Sequence, residues 1–301
     1  MMVHPGSVPA LIPELVLDAR AELGEGPVWD PVAQRLLWVD ILGQLVHRFD
    51  PTTGTDVVVL KAPSDVGAVA PRANGGLVLA LADGFWLVDP GAAGPRPHRL
   101  VIADRPELRF NDGKVDLDGR FWAGTAAYGK HPGAGALFRI DPDGEVETML
   151  EGITTSNGLA WSDDGRTLYY IDSPTRRVDA FDYDPASGTL SGRRTVVRMP
   201  DDLPGVPDGM TIDRAGTLWI ALWNCWAVHR YLADGTLAAI VRMPVARPTS
   251  CAFGGPGLAD LYITTARSGL SADELVAQPS AGGLFRVRPD AIGRAATPFA
   301  G

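Results

Sequence analysis

The sequence predicts an all-β fold: a six-bladed β-propeller with four-stranded antiparallel blades around a central channel. Three observations carry this. Short apolar strands recur six times, glycine and proline are scattered as punctuation, and no stretch keeps a long helical period. The strands are Leu37-Trp38-Val39-Asp40, Leu77-Val78-Leu79-Ala80, Phe121-Trp122-Ala123-Gly124, Leu168-Tyr169-Tyr170-Ile171, Leu218-Trp219-Ile220-Ala221 and Leu261-Tyr262-Ile263-Thr264. Their second residues are 40, 44, 47, 50 and 43 positions apart. A repeat of about 40–50 residues with several strands per unit is the signature of propeller blades. The 35 glycines and 25 prolines make up about a fifth of the 301 residues, against a usual share of roughly 12%.

Each unit adds further strands. Val46-His47-Arg48-Phe49-Asp50-Pro51 follows in the first, Phe85-Trp86-Leu87-Val88-Asp89-Pro90 in the second and Leu137-Phe138-Arg139-Ile140-Asp141-Pro142 in the third. The fourth has Val178 to Pro185 and the sixth Leu284 to Pro289. All run close to the two-residue period of a half-buried strand. Asn74-Gly75-Gly76, Asp118-Gly119, Asp164-Gly165 and Ala215-Gly216 supply turns. Six units of about 45 residues need about 270, so residues 14–301 form a single domain and 1–13 an N-terminal extension. Glu14 to Ala19 is expected to complete the last blade. Two side-by-side β-sandwiches would need a linker, and no such stretch is present. Ser271 to Gln278 is the one short helical turn.

Composition excludes several functions. A net charge of −9 and a pI near 5.0 leave no electrostatic footprint for nucleic acid. No apolar run approaches the ~18 residues of a membrane span. His4 stands where an export signal would be basic, and Pro5, Pro9 and Pro13 break the stretch, so a cytoplasmic protein is expected. Cys225 and Cys251 make no disulfide framework or Cys-x-x-Cys zinc motif. The expected partner is a small molecule, and the chain is expected to be a monomer or weak homo-oligomer.

The chemistry lies just before the repeated strands. Glu25, Asn111, Asn157 and Asp208 precede Trp38, Trp122, Tyr169 and Trp219 by 13, 11, 12 and 11 residues. Equivalent offsets place them at equivalent points in different blades, where innermost strands line one mouth of the channel. Two carboxylates and two amides are oxygen ligands, suited to Ca²⁺, Mg²⁺ or Mn²⁺, with Zn²⁺ or Fe²⁺ also open. A glycine follows Glu25, Asn157 and Asp208 directly and lets backbone approach the axis. Asp118-Gly119, Asp143-Gly144, Asp164-Gly165 and Asp234-Gly235 are plain turns.

The ordered set of motifs closely resembles the SMP-30/gluconolactonase family, which includes regucalcin and bacterial sugar lactonases. The matching stretches are Gly24 to Trp29, Arg109 to Asp116, Gly124-Thr125, Ser156 to Ser162, Tyr169 to Ser173, Val178 to Tyr183, Pro207 to Met210 and Thr249 to Gly255. They span about residues 14–290. The resemblance implies one divalent metal on the axis, held by Glu25, Asn157 and Asp208. It implies that Arg109 and Asn111 position the substrate, a sugar lactone hydrolysed to its aldonic acid. Asp112, Tyr128 and His131 complete the substrate-binding candidates. Some family members carry an acid in the loop after the third-blade Gly-Thr. Here Ala126 to Ile140 has no Asp or Glu and offers Tyr128, Lys130 and His131.

Asp208 is the candidate catalytic base, taking a proton from water and returning it to the ring oxygen. Arg109 has a plain alternative, pairing with Asp112 or Asp116. Ser156 and Ser250 lack a Gly-x-Ser-x-Gly context, Cys251 is read as packing, and Trp223 and Trp226 are candidates to stack on a sugar. Two other functions stay open: a related metal-dependent esterase or phosphotriesterase, and a non-catalytic calcium-binding protein like regucalcin.

Overall fold

The structure, a computed structural model, describes residues 8–129 and 131–301. His4 and Pro5 of the extension and Lys130 of the third-blade loop lie outside the described residues. Six sheets stand around a central axis. Blade 1 runs outward through Gly24–Asp30, Arg35–Asp40, Leu45–Asp50 and Thr55–Lys61; blade 2 through Val66–Pro71, Leu77–Leu81, Gly84–Val88 and Arg96–Leu100. Blade 3 uses Leu108–Val115, Phe121–Ala127, Gly135–Ile140 and Val146–Ile153; blade 4 uses Ser156–Trp161, Thr167–Asp172, Arg177–Tyr183 and Leu190–Arg198. Blade 5 uses Val206–Ile212, Leu218–Trp223, Ala227–Tyr231 and Leu237–Arg242. Blade 6 takes Pro248–Gly254, Asp260–Thr265 and Leu284–Val287 from the C-terminal region and its outer strand, Glu14–Leu17, from the N-terminal region.

The strands that define the repeat are the second of each blade. A second strand is paired on both edges and covered on both faces by neighbouring blades, so it reads as continuous apolar sequence. Val39, Leu79, Trp122, Ile171, Trp219 and Ile263 are all fully buried there. Tryptophans in this layer also have polar ties: Trp122 Nε1 donates to Asp116 (2.9 Å) and Trp219 Nε1 to Asp213 (3.0 Å). Ala10–Leu11, from the expected extension, adds a parallel strand outside blade 5. The short helix is Ala272–Ala277, capped by Ser271 and Glu274 in a reciprocal capping box. No described helix is long and apolar enough to cross a membrane.

The last residues cross the channel end where innermost strands finish. Gly293 bridges Asp213 of blade 5, Arg294 donates to the Trp161 carbonyl of blade 4, and Ala300 N donates to Gly119 O of blade 3. Phe299 pairs with the backbone at Pro71 and Ala73 of blade 2, and its ring is fully buried between blades 2 and 3.

Candidate metal centre and substrate pocket

Each innermost strand breaks register with its neighbour at the same level. The shifts fall at Glu25/Val28, Val66/Ala68, Phe110/Gly113, Asn157/Leu159, Pro207/Met210 and Pro248/Ser250. A bulge re-aims one side chain out of the pleat. The six register breaks therefore mark one level of the channel at which innermost-strand residues are re-aimed. Four blades place Glu25, Asn111, Asn157 and Asp208 in these irregular stretches; blades 2 and 6 have Gly67 and Thr249 there.

Close packing at the axis explains the glycines. A Cβ on Gly158 would lie 2.9 Å from the Asp208 carbonyl oxygen, and one on Gly209 would lie 2.8 Å from Ser250 Cα. Neither distance is open to an ordinary side chain, so these glycines are what bring neighbouring innermost strands together.

Glu25, Arg109, Asn111, Asn157 and Asp208 line one cavity of about 260 Å³, with Leu23, Thr155, Ser173, Pro174, Val206 and Trp223 completing its wall. A hydrogen-bonded chain fixes its amides. Arg109 Nη1 donates to Asn111 Oδ1 (2.7 Å), Asn111 Nδ2 donates to Asn157 Oδ1 (3.0 Å) and to Ser156 O (2.8 Å), and Asn157 Nδ2 donates to Ser173 Oγ (2.8 Å). Ser173 in turn donates to Pro207 O (2.6 Å). Asn157 thus has its Oδ1 edge toward Asn111, with one oxygen lone pair still to use.

The electrostatics disfavour charge on both carboxylates. Burial, with Asp208 and then Asp112 nearby, pushes the Glu25 carboxyl well above its ordinary range. Burial and Asp112 do the same to Asp208, and Arg109 and the Gly209 backbone oppose the shift only in part. Among the described residues no three His, Cys, Asp or Glu side chains converge; the third oxygen donor beside the two carboxylates is an amide.

Other predicted residues sit elsewhere. Asp112 lines a separate cavity of about 90 Å³ below the site, with Lys114, Ser250 and the strap residues Arg294 to Thr297. Lys114 Nζ donates there to Met210 O (2.7 Å). Tyr128 stands on the rim, its hydroxyl donating to Asp65 (2.9 Å). His131 is exposed on the third-blade loop and does not line the cavity. Arg109 pairs with neither Asp112 nor Asp116; Asp116 instead accepts from Trp122 and Tyr183. Trp223 joins the wall, whereas Trp226 is 44% exposed outside it. Cys251 is buried with its thiol pushed up to about 12 by burial, consistent with packing.

Sequence reasoning gave no role to Ser173 or Asp65. Ser173 was within reach, as the polar residue closing Tyr169 to Ser173. Asp65 had only its place at the head of the second repeat as a signal.

The profile of the SMP-30/Gluconolactonase/LRE-like region matches residues 23–267. The chain belongs to this family. A regucalcin of Xenopus laevis is 41% identical over 296 residues, covering 96% of this chain and 98% of that protein. Among solved structures, a calcium-binding regucalcin of Agrobacterium tumefaciens superposes with a TM-score of 0.92 at 28% identity, covering 97% of this chain and 99% of that one. A gluconolactonase of Xanthomonas campestris superposes at 0.71 with 26% identity, covering 91% and 88%. The SMP-30/gluconolactonase family thus contains proteins named as calcium binders and as lactonases, and the match spans every blade.

Proposed function

We propose that this protein is a metal-dependent sugar lactonase, opening an aldonolactone to its aldonic acid. The observation that carries the reading is the pairing, in one cavity, of two buried carboxylates and an amide oxygen with the donors of Arg109 and Asn111. Glu25, Asn157 and Asp208 would hold the cation; an all-oxygen set with two carboxylates suits a hard divalent ion such as Ca²⁺, with Zn²⁺, Mg²⁺, Mn²⁺ or Fe²⁺ as other occupants. Such an ion, when bound, polarises a carbonyl and acidifies water.

The chain's own residues do the rest. Arg109 offers guanidinium donors to the hydroxyls or the lactone oxygen. Asn111, held between Arg109 and Asn157, sets their spacing. Asp208 takes the proton from the attacking water and delivers it to the ring oxygen as the ester C–O bond breaks. Positioned proton transfer of this kind is typically worth about 10²–10⁴ in rate. Trp223 offers an aromatic face to the sugar ring. The reading includes a cytoplasmic protein, monomeric or weakly associated, with a small-molecule substrate and neither nucleic acid nor membrane as partner.

The test is proton release from pentono- and hexono-lactones with and without chelator. Asp208→Asn is expected to lower kcat by at least about 100-fold, and Glu25→Ala to abolish activity, with folding retained in both. An active chelated Asp208→Asn protein would falsify the reading. The similarity to calcium-binding regucalcins favours one second reading, a calcium binder without catalysis. A parent protein that binds calcium yet hydrolyses no lactone establishes that one instead.

A further inference from the structure

The lactone pocket has polar groups on its rim that the proposed chemistry does not use. Asp65 immediately precedes the innermost strand of blade 2 and reaches across to blade 3. Its Oδ2 accepts from the Tyr128 hydroxyl at 2.9 Å and stands 3.9 Å from Arg109 Nε. Its Oδ1 accepts from Gln44 Nε2 of blade 1 at 3.4 Å. The Arg109 guanidinium lies 6.0 Å over the Tyr128 ring. Both Asp65 and Arg109 are largely covered, their side chains 14% and 12% exposed.

Arg109 is therefore gripped on two sides. Nη1 is committed to Phe110 O (2.9 Å) and Asn111 Oδ1 (2.7 Å), while Nε faces the Asp65 carboxylate. Among the described residues Nη2 has no hydrogen-bond partner, which leaves it as the donor for a substrate oxygen. A guanidinium is planar, so two hydrogen bonds at Nη1, with the Asp65 charge on the Nε side, restrict the direction of Nη2. The third-blade loop, which has no acid of its own, is tied down through Tyr128 to an acid from the neighbouring blade.

We propose that Asp65, with Tyr128, is a positioning residue: it aims Arg109 at the hydroxyls of the substrate and so makes the site selective for polyhydroxylated lactones over apolar ones. This rests on the lactonase reading. Asp65 and Tyr128 do not line the cavity themselves, so their effect passes through Arg109 and the loop, and it belongs in KM rather than in kcat.

The experiment compares D-glucono-δ-lactone with unsubstituted δ-valerolactone in the metal-loaded parent, Asp65→Ala, Asp65→Asn and Tyr128→Phe. Asp65→Ala is expected to raise KM for gluconolactone by about tenfold, leave kcat within about threefold, and leave kcat/KM for valerolactone near the parent value. Asp65→Asn keeps an oxygen for Tyr128 but removes the charge facing Arg109, so it should lie between parent and Asp65→Ala, and Tyr128→Phe should shift KM in the same direction by a smaller factor. Parent-like gluconolactone KM in both Asp65 variants overturns the inference while leaving the lactonase reading intact. So does an equal loss on both substrates in the folded Asp65→Asn protein. A parent protein inactive on every lactone overturns both.

Discussion

At the scale of the residue, the site is defined by two carboxylates that are almost wholly covered by protein and meet solvent only through the cavity they line. Glu25 and Asp208 have folded-state pKa values raised by burial and by their acidic neighbours, whereas in an unfolded chain Glu and Asp titrate near ~4.3 and ~3.9. The folded metal-free protein thus binds protons that the unfolded chain has released. The stabilising contribution of the protonated form is complete below those unfolded values and is lost as pH rises through the folded ones. Glu25→Gln is accordingly expected to stabilise the chelated protein at pH 8, with the gain shrinking to nothing near pH 4; thermal melts of parent and variant across pH check it. A gain independent of pH would mean that Glu25 is not the strained group. Orientation matters as much as charge. Ser173 anchors the nitrogen side of the Asn157 amide, so Ser173→Ala is expected to weaken divalent-cation affinity by about 10–100-fold, as loss of an outer partner typically does, measured by calorimetric titration. Glu25, Asn157 and Asp208 were legible because each stands before an apolar strand in register. Asp112, a substrate-binding candidate beside Asn111 in the same motif, faces the lower cavity instead: the two lie in a bulged stretch, and the sequence alone does not fix where the bulge begins.

At the scale of the element, the innermost strand and its bulge do the positioning, and its glycines set how near the strands come. Gly209 packs against Ser250 of blade 6, and an added Cβ would fall 2.8 Å from the Ser250 Cα, which belongs to the backbone and cannot swing aside. Gly209→Ala is expected to cost about 1–3 kcal/mol, the usual range for overpacking, and to lower cation affinity by displacing the neighbouring Asp208. Urea unfolding and metal titration of the one variant report both effects; an unaffected protein would show that the two strands can separate freely. The same layering explains what the sequence hid. Second strands, buried on both faces, read as apolar runs and revealed the repeat. Outer strands such as Arg96–Leu100 and Leu190–Arg198 are largely exposed, so their composition resembles that of loops. They are held by pairing to an inner neighbour rather than by apolar side chains of their own. The parallel addition of Ala10–Leu11 to blade 5 had no periodic signal, because two residues are too few to carry a period.

At the scale of the whole molecule, the question is what keeps a ring of six similar sheets closed. One closure is the pairing of Glu14–Leu17 with Leu284–Val287 inside blade 6, foreseen from the sequence as the completion of the last blade. The other is the C-terminal strap, which the repeat gave no reason to expect. It touches blade 5, then blade 4, then blades 2 and 3, and its far end is gripped by the buried Arg72, whose Nε donates to Gly301 O (2.8 Å) while Nη1 pairs with Asp89 (2.8 Å). Phe299 is its anchor, packed among the residues of blades 2 and 3 with no exposed surface. Phe299→Ala is therefore expected to destabilise the protein by about 3–5 kcal/mol, the range for a fully buried phenylalanine. Glu14→Ala, by contrast, removes only an exposed ion pair with Arg286 and should leave the unfolding midpoint within error, because such pairs are screened by water and entropically costly to hold. The two closures can then be separated by site. The candidate metal cavity lies at the opposite end of the channel from the strap, so Phe299→Ala protein that is still folded should bind cation with the parent affinity. A small stability loss would mean the strap lies on the ring without holding it, and a large loss of cation affinity in the folded variant would mean that strap and site share one cooperative core through the lower cavity.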